Sequence, residues 1–437
     1  MSKKFGLITF SIIILIALIS VVFPFLPGKI DSRTINSADT AWMLTSTALV
    51  LIMTPGLAFF YGGMVNKKNV LSTMLQSFIC MAVISIIWFI IGFSLSFGDS
   101  IYGVIGNPKT FFMMQHVIDG TPWKLAPTIP LILFAFYQMK FAIITPALIT
   151  GAFAERIKFK SYLIFITLFC IFIYCPLAHA TWHPNGLLSK LGVVDFAGGV
   201  VVHMSAGWAA LAGAIFIKSS NESVHNPARI TYVMLGTGLL WFGWIGFNSG
   251  SAFHADSIAT LALGTTSTSS AAAAFTWIVF DSVRGRKPGA MGACIGAIVG
   301  LVAITPAAGF VTIPQSFVIG VVSSVISSLM VSWRSTKTTI DDTLDVFSCH
   351  GVGGMVGMLL TGVFANHNIN PIITHDGLLY GQSRLFLVQL SAMVGVSLFA
   401  FFGTFLLLKL TNKISPLRVS DREEKEGLDW SQHDEKL

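Results

Sequence analysis

Of the ten histidines in this chain, only His203 and His350 fall well inside long apolar stretches. An imidazole surrounded by hydrocarbon is costly, and it normally faces a bundle interior or a cavity. A neutral ring there can accept one hydrogen bond, donate another and relay a proton near neutral pH. Gly199 and Gly207 stand four residues either side of His203, and Gly353, Gly354 and Gly357 follow His350. Small neighbours leave room for a ring and for close helix approach. The alternative is that the two rings simply tie two helices together by hydrogen bonds. A metal centre is disfavoured, because neither ring has a third ligand at usable spacing.

Asp195 precedes His203 by eight residues, and Asp342 precedes His350 by eight. A carboxylate at such a position either caps a helix N-terminus or serves as a ligand. In both roles it places negative charge beside any pathway and favours cations. Aromatic residues supply the third element. Tyr137 and Phe141 are four apart, Trp182 ends an apolar run, and Phe247 lies in Trp244-Ile-Gly-Phe-Asn-Ser-Gly-Ser251. Such rings often form only the interfacial belt. Converging with a hydroxyl such as Ser251, they can bind a small cation by cation–π attraction and a hydrogen bond. Lys140 is the odd residue, a charge between Tyr137 and Phe141. Facing a vestibule it would repel cations, so the expectation is that it faces away and snorkels outward.

The elements that must hold these residues are membrane helices. Of 437 residues 54% are hydrophobic and 11% charged, with mean hydropathy +0.76. Soluble domains carry roughly 25% charged residues, so a water-facing surface is excluded. Continuous apolar runs also exclude an outer-membrane barrel. Eleven spans are expected near 41–64, 70–97, 128–152, 161–181, 196–217, 230–252, 258–280, 289–308, 315–333, 346–365 and 385–410. Residues 1–27 read as either a cleaved signal peptide or a retained N-terminal anchor. The five cysteines, all in apolar segments, read as buried small hydrophobes.

Charge sets the orientation. Alternate loops hold 12 basic residues and the tail six more, against six on the other side. By the positive-inside rule this multi-pass body begins outside the cytoplasmic (inner) membrane and ends in a cytoplasmic tail. The net charge of +7 is therefore topology and not a nucleic-acid site. His203 falls in the fifth span and His350 in the tenth, an odd offset that gives two five-helix halves opposite topology. That is the inverted-repeat arrangement of many transporters.

The motifs together resemble the ammonium transporter (Amt/Mep/Rh) family. They are Ala41-Trp-Met-Leu through Pro55-Gly-Leu-Ala-Phe-Phe-Tyr-Gly-Gly63, Lys68-Asn-Val-Leu71, Gly151-Ala-Phe-Ala-Glu-Arg156, Asp195-Phe-Ala-Gly-Gly-Val-Val-Val-His203, the Trp244–Ser251 segment and Asp345-Val-Phe-Ser-Cys-His-Gly-Val-Gly-Gly354. The resemblance runs from about residue 38 to the tail, and Gly427-Leu-Asp429 is similar to the bacterial Amt branch. It implies a transporter domain over 38–411 and a regulatory tail over 412–437. It implies ammonium or ammonia as substrate, no enzyme activity, no cofactor and no metal. Trp182, Phe141 and Ser251 would line an outer ammonium site, with Tyr137 where the bacterial pattern usually has Phe. Phe141 and Phe247 would form a stacked gate, His203 and His350 the twin histidines of a hydrophobic pore, and Asp195 the acidic residue near the outer site. One extra residue between Trp182 and Asp195 departs from that pattern, which brings His183 into the register beside Trp182. The resemblance further implies a homotrimer in membrane lipid and a PII-type signalling protein as partner of the tail. An ammonium sensor with little flux would carry the same residues.

Overall fold

The structure, a computed structural model, describes residues 3–22, 34–119, 121–220 and 226–436. The expected leader boundary at residue 27, the basic residues Lys29 and Arg33, and Leu437 lie outside the described residues. Helix α1 (Lys3–Val22) leaves most of its large apolar side chains exposed. Each of the eleven expected spans then coincides with a helix. These are α2 (Ser37–Met64), α3 (Lys67–Phe97), α4 (Leu131–Ala152), α5 (Phe159–Leu191) and α6 (Gly199–Ile217). They continue with α7 (Ile230–Ala252), α8 (Ser257–Val283), α9 (Ala290–Ile304), α10 (Ile313–Lys337), α11 (Phe347–Phe364) and α12 (Arg384–Ile414). A two-residue hairpin, Ser100–Ile101 against Ile105–Gly106, is the one sheet among the described residues.

Ten of these helices, α1 included, are long and apolar enough to cross a membrane. The exceptions are α8 and α9, for reasons visible in their packing. Helix α9 has only 15 residues. Helix α8 is rich in Ser and Thr, whose hydroxyls are buried against its neighbours. Thr265 donates to the Ala308 carbonyl at 2.8 Å, Ser269 to Gly300 at 2.9 Å and Ser270 to Ala297 at 3.1 Å. From α10, Ser324 donates to Ala273 at 2.8 Å. Hydroxyls satisfied by carbonyls of adjacent helices are compatible with a bilayer, yet they lower the hydropathy that marks a span.

Helices α2, α4 and α6 begin on one face of the bundle. The Asn36 amide donates to Thr128 at 2.8 Å, joining the starts of α2 and α4. The start of α6 lies on that face as well, because Asp195 and His254 rim one cup and His254 contacts Asp39 of α2 at 3.2 Å. Helix α11 begins on the opposite face, where the Leu344 amide donates to Gly151 at the end of α4. Helices α6 and α11 therefore run through the core in opposite directions.

Both start in the same unusual way. Each opens with a π turn, Gly199–Met204 in α6 and Phe347–Gly351 in α11, preceded by a buried aspartate. Asp195 accepts four backbone N–H bonds, from Gly198, Gly199, Val200 and Val201, at 2.7–3.2 Å. Asp342 accepts from Phe347 at 2.7 Å through one oxygen, while its Oδ1 is buried without a partner among the described residues. Burial, reinforced by the Asp345 carboxylate, pushes Asp342 up to about 7. The two ends thus share a plan and differ in how fully the acid is satisfied.

The helices touch where Gly207 meets Gly351, and a Cβ on Gly207 would collide with the Gly351 backbone. This approach puts the residues one turn before Gly207 and just before Gly351 side by side. The cytoplasmically expected tail folds back on the bundle. Its segments α13 (Asp421–Glu426) and α14 (Leu428–His433) flank Gly427. Leu428 is fully buried with its amide on Asn69 at 2.7 Å, and Asp429 accepts from Leu71 and Ser72 at the start of α3. Of the two apolar anchors that the tail sequence offers, Leu428 and Trp430, only Leu428 is buried, Trp430 being 46% exposed; Asp429 adds the second attachment.

Gly207→Ala should lower stability by about 1–3 kcal/mol, the usual cost of overpacking a close contact. Thermal unfolding in detergent checks it. An unchanged midpoint would mean that α6 and α11 can move apart freely.

Candidate functional site

Three chambers stack along the axis that runs between α6 and α11. The outermost is a wide cup rimmed by Trp182, Asp195, Ser251, Phe253, His254 and Asp256, of ≈ 580 Å³. Below it lies a cavity of ≈ 50 Å³ walled by Trp123, Phe134, Gln138, Phe141, Trp182, Ser251 and Phe253, among others. Its walls are almost wholly aromatic, so their π faces present negative quadrupole to anything cationic. Ser251 donates its proton to the Phe247 carbonyl at 2.8 Å, which leaves the hydroxyl oxygen as an acceptor. Gln138 Oε1 is buried and has no partner among the described residues. An N–H-bearing cation would find both acceptors within an aromatic cage.

The cavity floor is closed by Phe141 and Phe247, stacked with centroids 4.2 Å apart at 25°. Phe141 also meets the Trp182 ring edge-on at 5.9 Å. Phe247 occupies a third π turn, Ile245–Ser249 of α7. Such widened turns break the regular side-chain register and recur at functional positions. Here they carry Phe247, His203 and His350, each turned toward the axis.

Beneath the stacked rings is a chamber of ≈ 10 Å³ lined by Met53, Leu57, Phe60, Ile144, Leu148, Leu240, Trp244, Phe247 and Ile298 together with His203 and His350. One water needs roughly 10–15 Å³, so no hydrated ion fits. The two imidazoles approach Nδ1 to Nδ1 at 3.3 Å, with centroids 5.3 Å apart. His203 stacks on Trp244 at 5.1 Å, and its Nε2 has no partner among the described residues. A contact between like nitrogens requires one donor and one acceptor. The pair therefore holds a single proton between the rings and two outward nitrogens of opposite character. A second proton at the contact would set two N–H groups against each other.

Every residue expected from sequence is near this axis, although the parts they take differ. Trp182, Phe141 and Ser251 surround the small cavity, Phe141 and Phe247 form its floor, and His203 and His350 meet below. Asp195 sits at the rim with both carboxylate oxygens taken by backbone amides, which makes it a helix cap. Its own carbonyl accepts from the Trp182 indole at 3.0 Å, so the cap also holds that ring. Tyr137 stands behind the cavity. Its hydroxyl reaches the Gly246 and Phe247 carbonyls at 2.9 Å, bracing the π turn, and its ring packs on Phe141 and Phe253. His183 stacks on His179 at 4.4 Å beside the vestibule. Lys140 points away from all three chambers, into a groove between α2 and α4.

Sequence reasoning missed Gln138, Phe253 and the Trp244 stack. Gln138 adjoins Tyr137, and a helical period cannot say which of two adjacent residues faces an axis that no span crosses squarely. Phe253 reaches the cavity through a left-handed backbone (φ 60) after the π turn, for which the sequence carries no marker.

Comparison with known proteins assigns the family. Residues 41–437 match the model of the Ammonium Transporter Family. The ammonium transporter Amt1 of Archaeoglobus fulgidus is 42% identical over 403 residues, covering 92% of this chain and 99% of that protein. The ammonium transporter of Bacillus subtilis is 42% identical, covering 91% and 98%. The crystal structure of Saccharomyces cerevisiae Mep2 superposes with a TM-score of 0.84 at 36% identity, covering 89% of each chain. On a family match that spans nearly the whole sequence and relatives aligned end to end, this multi-pass membrane chain belongs to the ammonium transporter family.

Proposed function

We propose that the protein carries ammonium across the cytoplasmic membrane, binding the cation in the aromatic cavity and passing ammonia and its proton through the histidine chamber. The observation that carries this reading is the His203–His350 contact, the one polar feature in a chamber otherwise lined by hydrocarbon and Trp244. Ammonium resembles potassium in charge and size, so charge alone cannot select it. The cavity offers two oxygens, of Ser251 and Gln138, that can accept N–H bonds from ammonium but are too few to replace the oxygen shell that potassium gives up on leaving water. Trp182 and Phe141 add cation–π attraction. The chamber below then costs any ion that keeps its charge several kcal/mol. Ammonium can leave its proton and continue as a neutral molecule, whereas potassium has none to leave. The imidazole pair, with one nitrogen accepting and one donating, is suited to receive that proton and to bond ammonia in single file.

On the same reading the bundle has eleven spans, α2 to α12, in two inverted halves. The opposed α6 and α11 with their aspartate-capped π turns support it, as does the basic bias that puts the tail in the cytoplasm. The transporter domain covers 38–411 and the tail 412–437, with residues 1–27 a signal or anchor. Family membership supports a homotrimer with one pore per subunit. The tail, pinned by Leu428 and Asp429 to the start of α3, is a candidate surface for a PII-type partner. A sensor with little flux would share the cavity, and a solved structure named Sensor Amt Protein is 27% identical with a TM-score of 0.82. The higher identity to proteins named as transporters favours transport.

Three outcomes are expected. His203→Ala and His350→Ala should each fold yet lose selective transport, read as methylammonium uptake and rejection of potassium in proteoliposomes. Wild-type uptake with unchanged rejection in either variant would refute the chamber's role. Trp182→Leu should raise the half-saturating ammonium concentration about two- to thirtyfold, from roughly 0.5–2 kcal/mol per cation–π contact at 1.4 kcal/mol per decade. Electrophysiology on supported membranes gives that constant and also separates carrier from sensor. Deleting residues 418–437 should abolish co-purification with the host PII protein and lower transport while the oligomer persists in detergent.

A further inference from the structure

Lys140 is a charge in the wrong place for the pore and in a telling place for the membrane. It lies within α4, half-buried, and no hydrogen bond or ion pair among the described residues engages its amine. Its groove, of ≈ 440 Å³, opens to the outside of the bundle and is lined by Thr40, Leu44, Thr47, Ala48 and Leu51 of α2 and by Pro130, Leu133 and Phe136 beside it. From Leu131 to Lys140 the helix climbs roughly 13 Å, at 1.5 Å per residue. Helical side chains lean toward the N-terminus, so the long lysine stem rises toward Thr40 and Pro130 at the rim. The amine thus ends a few ångströms below the interface, above a trough of exposed Leu44, Leu51 and Phe136.

An unpaired cation at such depth calls for an anion. Among the described residues, a second copy of the chain has no carboxylate within a span to bring to that depth. Of 20 acidic residues only Asp39 and Asp281 fall inside a helix of the bundle's eleven spans. Asp39 is in the first turn, bonded to Thr128 and His254, and Asp281 is in the last, beside Arg286. An anionic lipid matches on both counts, because its phosphate supplies the charge at the rim and its acyl chain fits the trough. We propose that the α2–α4 groove binds an anionic phospholipid of the leaflet at which α4 begins, with Lys140 holding its headgroup.

The test uses the full-length protein, delipidated in detergent and titrated with phosphatidylglycerol or phosphatidylcholine of matched chains, bound lipid being counted by native mass spectrometry. Wild type should prefer phosphatidylglycerol. Lys140→Gln should weaken it about fivefold, the factor for one basic residue near the surface, and leave phosphatidylcholine unchanged. Lys140→Arg should keep the preference. Ala48→Phe, which fills the trough without altering charge, should weaken both lipids. Equal phosphatidylglycerol affinity in wild type and Lys140→Gln would overturn the proposal. So would a shift of Lys140→Gln to smaller oligomers with lipid binding unchanged, because the groove would then be an interface between copies. Should Lys140→Gln fail to fold, wild type lacking any headgroup preference would overturn it equally.

Discussion

Two imidazoles 3.3 Å apart, walled by hydrocarbon, can exist only because two backbones come closer than side chains normally permit. The contact of Gly207 with Gly351 sets that distance, and much of the surrounding structure serves it. The π turns swing His203 and His350 onto the axis, and the aspartates ahead of them terminate amides that the widened turns leave free. Trp244 fixes the plane of one ring. The pair is polar in the one direction that faces the chamber and packed in every other, which is how a membrane interior accommodates imidazole at acceptable cost.

The order of the chambers follows from the same constraint. Attraction must come first, while charge can still be stabilised by aromatic faces and acceptors, and exclusion second, where it cannot. Trp182 is held by the carbonyl of the residue whose carboxylate caps α6. Tyr137 braces the turn that carries Phe247. The cavity and its floor are therefore tied through backbone to the elements that hold the histidines, and none of the three can shift independently.

Much of this was legible in the sequence where polarity contradicts its surroundings. His203 and His350 stand out because hydrocarbon encloses them, and Lys140 because it is a charge between the aromatic residues Tyr137 and Phe141. The spans were legible wherever apolar side chains meet lipid. Helix α8 falls short of a span's hydropathy because its hydroxyls bond carbonyls of its neighbours, and α9 falls short in length at 15 residues, yet both were expected from the sequence. Gln138 escaped because the helical period does not choose between it and its neighbour Tyr137, and Phe253 because a positive φ after a π turn takes it off that period. In the tail, Leu428 and Trp430 both read as anchors by their apolar side chains; Leu428 is buried while Trp430 is not, and Asp429, which caps α3, carried no apolar signal.

The histidine pair joins positions 147 residues apart, and this separation governs how the protein can be made. A chain threaded into the bilayer from its N-terminus has α6 in place long before α11 emerges. Until α11 docks against Gly207, His203 lacks its partner and the histidine chamber has no second wall. The chamber is a late product of assembly, closed by the contact of two glycines. A half-built molecule thus lacks one wall of the histidine chamber until its second half has folded.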